Sequence, residues 1–320
     1  MLARLRGAAV AAALVALVGA GCGDDESAPG VAGIVGAEPG ADEPLVYALA
    51  GRPDELDPLL ARTRPDQILT RQIHEPLVES LSGPFGEVRG ERGLARAWRP
   101  SRDRVIWRFE LRRRVRFQDG TPFNASAVLA NAERWRTLVP GRALLPELLA
   151  ADAPRPDLVR FILSRPVADF PLHLASPRLG IVSPAALRPR SGQAAELARD
   201  DRSGTGPFEL RERSGETIVI ARNVAWWGTR ADLGPALDQV ELRVVRTDPA
   251  RLALLREGTV QVADSLPASA VSQIRADPLL TYVGGNGGEV LGLERSIRGI
   301  ESASAIEPFS EVWLTRIGVE

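Results

Sequence analysis

One stretch constrains the fold more than any other. From Val105 to Leu111 side chains alternate, with Val105, Trp107, Phe109 and Leu111 on one side and Arg108 and Glu110 on the other, the pattern of a half-buried antiparallel strand. From Arg113 to Ala132 the chain then reads as a strand end, a tight turn and a helix start. Asp119-Gly120 supplies the turn, because glycine adopts backbone angles other residues avoid. Thr121-Pro122-Phe123 stays extended, since the residue before proline is pushed out of the helical region. Asn124 can cap a helix, and Ala125, Val128, Leu129, Ala132 and Trp135 form its apolar face. By itself this stretch reads as strand, turn and helix, in that order.

The remaining elements agree. Pro44–Ala50, Val159–Leu163, Val240–Val245, Val260–Ala263 and Leu280–Val283 read as strands, and Phe208–Glu212 with Thr217–Arg222 as a hairpin. Pro65–Glu75, Val167–Leu174 and Pro267–Arg275 read as helices. Asp248-Pro249 starts another, with Asp248 as cap and Gly258 as stop. Ser310–Val319 reads as a closing strand. The fold class is α/β, in a mixed α+β arrangement around a mixed sheet.

The N-terminus reads as an export signal. Arg4 and Arg6 precede an apolar run from Ala8 to Val18 and the small residues Gly19-Ala20-Gly21 before Cys22. The run is short for a membrane span and suits a signal peptide. Cys22, the single cysteine, stands where a bacterial lipoprotein is acylated, so residues 1–22 are expected to be a lipoprotein signal and Cys22 a lipid anchor. Residues 23–43, rich in Gly, Ala, Asp, Glu and Pro, read as a flexible tether. Residues 44–320 form the folded body.

Composition narrows the chemistry. A net charge of −1 gives no field toward nucleic acid. The sequence has no lysine, which excludes a P-loop lysine or Schiff base; the all-arginine basic charge reads as compositional bias. His74 and His173 stand apart without metal-ligand spacing, and no nucleophile elbow or paired-carboxylate constellation occurs. The glycine-dense Gly284–Gly288 reads as a bend and the Arg112–Arg116 run as a solvated edge. No enzyme, metal or cofactor is expected.

Several ordered segments resemble the extracellular solute-binding proteins of peptide and nickel ABC importers (family 5). Glu55-Leu56-Asp57-Pro58 is similar to the family's L-D-P, and Arg71 to Val78 to its Q-I-Y-E-P-L, with His74 in place of the aromatic. Leu94 to Trp98, followed by Ile106 to Arg112, resembles L-A-x-x-W … Y-x-F-x-L-R. The Arg113–Ala132 stretch resembles V-x-F-H-D-G-T-P-F-T-A-x-D-V, with Gln118 for His and Asn124 for Thr. Gly204 to Phe208, Arg222 to Gly228, and Arg251 to Ala263 are similar to G-T-G-P-Y, R-N-x-x-Y-W-G and the R-x-x-A-L-x-x-G-x-V-D-I unit.

The resemblance runs from about Leu45 to Leu293 and implies a type II periplasmic-binding-protein-like first lobe with the second lobe deleted. Residues 86–200 would be an inserted subdomain, 294–308 a short linker in the second lobe's place, and 309–320 the closing strand. The implied function is a lipid-anchored substrate-binding component outside the cytoplasmic membrane. Its partners would be a peptide or similar small solute, an ABC permease, and the membrane through the anchor. The alternative is a single-lobe scaffold or regulatory lipoprotein that has lost solute binding. The resemblance also implies ligand-facing positions at Leu56, Asp57, His74, Ser176, Arg178, Thr205 and Gly206.

Overall fold

The computed structural model describes residues 44–80, 88–89, 93–188, 202–231, 235, 237–284, 289–294, 297–298 and 318–319. The expected signal with Cys22, the expected tether and most of 294–317 lie outside the described residues. The elements in order are β1 (Leu45–Leu49), α1 (Arg64–Ile73), β2 (Glu79–Ser80), β3 (Val88–Arg89), β4 (Ala95–Pro100), β5 (Ile106–Leu111), α2 (Ala125–Thr137), α3 (Val139–Leu144), β6 (Leu148–Arg155), β7 (Leu158–Leu163) and α4 (Phe170–His173). There follow β8 (Phe208–Ser214), β9 (Thr217–Arg222), β10 (Gln239–Val244), α5 (Asp248–Arg256), β11 (Val262–Pro267), α6 (Val271–Ala276), β12 (Leu280–Gly284), β13 (Glu289–Glu294), β14 (Ile297–Arg298) and β15 (Gly318–Val319).

Two sheets organise the body. The larger has seven strands in the order β12-β13-β11-β1-β10-β9-β8. Its centre is parallel, β1 lying between β10 and β11, and its flanks are antiparallel. A central parallel strand is covered on both faces, so β1 reads LVYAL without polar alternation. Leu45, Tyr47 and Leu49 pack with Ile68, Leu69 and Ile73 of α1. Ala48, on the other face, packs with Leu252 and Leu255 of α5. The helices that follow β1 and β10 therefore cover opposite faces of the sheet.

The smaller sheet, β4-β5-β7-β6, is antiparallel. Its inner face and α2 enclose an aromatic core in which Phe109 meets Phe161 edge-on at 5.5 Å and Phe161 meets Phe170 at 5.7 Å. Trp107, Phe109 and Leu111 point inward and Arg108 outward, as the alternation of that strand requires. Gly120 has φ +85°, and Asn124 caps α2 by accepting a hydrogen bond from the Ala127 amide. The turn and the cap are both as the sequence predicts.

Other expectations need adjustment. The cap of α5 is Thr247, and Asp248 is the first helical residue, its carboxylate taken by Arg251 at 2.5 Å. The Val167–Leu174 helix is one turn, α4, since prolines flank and enter it and Asp169 makes no capping bond. Pro267–Arg275 divides into a 3₁₀ turn, Ala268–Ala270, and α6. The Val260–Ala263 strand starts later and runs to Pro267. Of the closing strand, Gly318–Val319 is described, and it pairs with Ile297–Arg298 apart from the large sheet.

Candidate functional site

The parallel centre of the large sheet creates a cleft. Where two adjacent parallel strands send their chains to opposite faces, a crevice opens outside their carboxyl ends. Here β1 sends the chain to α1 and β10 to α5. The crevice between them is an open cleft of about 590 Å³, lined by Ala50 to Arg52 after β1, Arg246 and Asp248 after β10, and Ser265 to Pro267 at the end of β11. The first turns of α1 (Thr63 to Pro65) and α5 complete the lining. Both helices present their amino ends, so the partial positive charge of two helix termini converges there.

The floor of the cleft is cross-tied. Arg64 grips Asp264 through Nε at 2.9 Å to each carboxylate oxygen and through Nη2 at 2.5 Å. Asp264 is fully buried. Arg251, also buried, donates to the carbonyls of Val245 (2.7 Å), Asp264 (2.8 Å) and Ser265 (2.8 Å), joining the ends of β10 and β11. Ser265 holds φ +51°, which costs a non-glycine residue about 1–3 kcal/mol and persists only where neighbours enforce it. Tyr47 lies buried beside this ion pair. Burial, and then the charge of Asp264, push its phenol well above the ordinary range, so it remains neutral. The rim is wetter: Arg246 pairs with Glu216 at 3.0 Å and Arg52 with Asp54 at 3.2 Å, all four at least partly exposed.

Asp66 ties the loop after β1 to α1. Its carboxylate accepts from the amides of Asp54 (2.8 Å), Glu55 (3.1 Å) and Thr63 (3.2 Å), and Thr63 with Asp66 forms a capping box. The rest of that loop turns away from the cleft. Leu56 is in the large sheet's core, while Asp57 is buried and paired with Arg134 of α2.

The residues to which the resemblance points gather instead at the joint between the two sheets. His74 is fully buried, with Nδ1 3.3 Å from the Thr70 carbonyl and Nε2 2.9 Å from the Ser203 hydroxyl. The Gly206 amide donates to Ile73 O at 2.8 Å, and Thr205 is 1% exposed. Gly204 and Gly206 permit a backbone approach no side chain would fit: a Cβ on Gly204 would lie 1.8 Å from Ile73 O, and one on Gly206 2.4 Å from Gln72 O. Ser176 is half-buried, as is Arg178, whose Nη2 holds the Leu59 carbonyl at 3.0 Å. Leu56, Asp57, His74, Thr205 and Gly206 thus present no open face; their contacts build the framework, because the chain crosses between sheets at these segments.

At the centre of the joint lies Glu75, 1% exposed. Its Oε1 accepts from the indole Nε1 of Trp226 (3.2 Å) and of Trp227 (3.1 Å), and its Oε2 from Trp227 Nε1 (2.9 Å) and the Thr205 hydroxyl (2.8 Å). The guanidinium of Arg112 stacks on the Trp227 ring at 4.2 Å. Burial pushes the Glu75 carboxyl up to about 8, the three neutral donors opposing that rise.

Sequence reasoning misses both the cleft lining and the Glu75 cluster. The available signals are Pro65 and Pro249, each in the first turn of a helix that follows a strand of the large sheet. Among the described residues no group of His, Cys, Asp and Glu could hold a metal, and no helix is long and apolar enough to cross a membrane.

A mixed sheet with its cleft at the carboxyl ends of central parallel strands defines the class of type II periplasmic binding proteins, and solved structures agree. The binding protein AgaA in complex with agropinic acid, from A.tumefacien R10, superposes with a TM-score of 0.64 at 26% identity, over 75% of this chain and 47% of that one. Residues 91–312 match the model of the bacterial extracellular solute-binding proteins, family 5 Middle, and the chain belongs to that family. The probable D,D-dipeptide-binding periplasmic protein DdpA of Escherichia coli K12 is 30% identical over 237 residues, 73% of this chain and 45% of DdpA. The glutathione-binding protein GsiB of the same strain is 29% identical over 231 residues, 71% of this chain and 43% of GsiB. The chain spans about half the length of the curated relatives it matches.

Proposed function

We propose that this chain is the substrate-binding component of an ABC importer for short peptide-like solutes, and that the cleft between β1, β10 and β11 is its ligand-facing wall. The observation that carries this reading is the cleft itself, where two helix amino ends meet over a cross-tied floor. Its lining offers charge of both signs, with Arg52 and Arg246 alongside the half-exposed Asp248. That combination suits a zwitterionic solute. DdpA and GsiB, by their names, bind a D,D-dipeptide and glutathione, both small and peptide-like. In this reading the lobe presents its wall outside the cytoplasmic membrane, tethered through acylated Cys22, and delivers solute to a permease.

Calorimetric titration of the purified body with D-Ala-D-Ala, glutathione and a mixture of tripeptides tests the proposal. Binding is expected for at least one, weakened by Arg246→Ala. A folded protein that gives no heat with any of them at millimolar concentration overturns it. The second reading, a scaffold or regulatory lipoprotein without solute binding, draws on the burial of Leu56, Asp57, His74, Thr205 and Gly206 in the joint. That silent titration is the result it predicts.

A further inference from the structure

We propose that Glu75 is a proton-operated latch: the neutral acid closes the joint between the two sheets, and loss of its proton loosens it. Two indoles and one hydroxyl hold the carboxyl group, and none of them carries charge. Burying an anion with neutral partners alone is costly, because no cation replaces its hydration.

The charged and titratable groups around the latch do not supply that cation directly. Glu79, at the start of β2, adds negative charge and disfavours ionisation of Glu75. Arg112, after β5, favours ionisation, yet its guanidinium lies over the face of Trp227. Arg71, in the last turn of α1, is buried nearby in sequence. His74 turns its ring to Thr70 and Ser203. Burial thus favours the neutral acid, while the surrounding donors suit its anion. The carboxyl group is poised between two states.

Position makes the balance consequential. Glu75 follows the C-cap of α1, His74, and its backbone carbonyl accepts from the Ile181 amide at 2.9 Å. Its side chain reaches Thr205 in the segment before β8, and Trp226 and Trp227 in the segment after β9. Trp227 packs against the core of the small sheet, while Ile73, two residues before Glu75, belongs to the core of the large one. One proton thus sits where both cores are tied together.

An ordinary glutamate carboxyl titrates near 4.5 and Glu75 near 8, so folding favours the protonated form. Its stabilisation is complete below about 4.5, declines as pH rises, and is gone above about 8.

The test uses the full chain labelled with ¹⁵N in tryptophan and ¹³C in glutamate carboxyls. The indole Nε1–H resonances of Trp226 and Trp227, assigned with Trp226→Phe and Trp227→Phe, are recorded between about pH 6 and about pH 9.5. Both should move along one sigmoid with a midpoint near 8, and the dependence should vanish in Glu75→Gln. Over the same range the Gly206 and Ile181 amides, after correction for intrinsic exchange, should lose about tenfold or more in protection. If Glu75→Gln does not fold, the wild-type carboxyl spectrum decides, because only a strongly raised glutamate titrates in that range. Immobile indole resonances, a titration that survives Glu75→Gln, unchanged amide protection, or no glutamate carboxyl titrating there would each overturn the proposal.

Discussion

The joint and the cleft use similar residues in opposite ways. At the joint, Gly204 and Gly206 bring backbones into contact, and a carboxyl group is buried among neutral donors. At the cleft floor a buried carboxylate, Asp264, is matched by a guanidinium at 2.5–2.9 Å. The ion pair and the carbonyls gathered by Arg251 fix the ends of the strands. Unmatched burial leaves Glu75 able to take up a proton. The comparison separates shape, which the joint maintains, from a presented surface, which the cleft provides.

The largest expected effect falls on the joint. In Gly204→Val the new Cβ would lie 1.8 Å from Ile73 O, against backbone that cannot step aside. A loss of about 3 kcal/mol or more in urea unfolding is expected. A loss below about 1 kcal/mol would mean that the two segments separate easily and that the joint is not tight. Next comes Asp264→Ala, which removes the buried carboxylate that Arg64 grips under the cleft. Breaking a buried pair costs about 3–5 kcal/mol, and since Arg64 keeps some solvent access the lower figure is expected. If stability is unchanged, the floor of the cleft is not held as described.

The pH dependence ranks third. Wild-type stability relative to Glu75→Gln should fall by about 2 kcal/mol or more between pH 4.5 and pH 8, because each tenfold change in proton affinity on folding corresponds to about 1.4 kcal/mol. Parallel curves for the two proteins would show that Glu75 titrates alike folded and unfolded.

These contrasts explain what the sequence could and could not reveal. Trp107, Phe109 and Leu111 announce their strand because one face is buried and the other wet, and a period of two survives in such a strand. Asn124 announces its helix because capping is local. The strands legible in the sequence do not include β4 and β6, the edges of the small sheet. The reason is visible in β6, where LLAADAPR is mostly exposed and lacks alternation. The candidate sites were harder still. Arg64 and Asp264 are 200 residues apart, and Glu75 and Trp227 are 152 apart. No local pattern encodes such pairings. The ligand-facing expectation at Asp57, His74 and Thr205 comes from resemblance alone, and no local pattern marks that these three side chains are buried in the structure.

The smallest expected effect on stability is the most informative about function. Arg246 lies on the cleft rim, and its pair with Glu216 is 62% and 50% exposed in side chain. Exposed pairs contribute about 0–1 kcal/mol, so Arg246→Ala should unfold within about 0.5 kcal/mol of wild type. If the rim holds the carboxylate of a peptide-like solute, the same change should weaken its binding by about tenfold, the loss of one charge-assisted hydrogen bond. Thr205→Ser, in the joint, should keep the hydroxyl that meets Glu75 and leave affinity alone. Reversal of these two results, with affinity sensitive to Thr205→Ser and indifferent to Arg246→Ala, would move the ligand from the cleft to the joint.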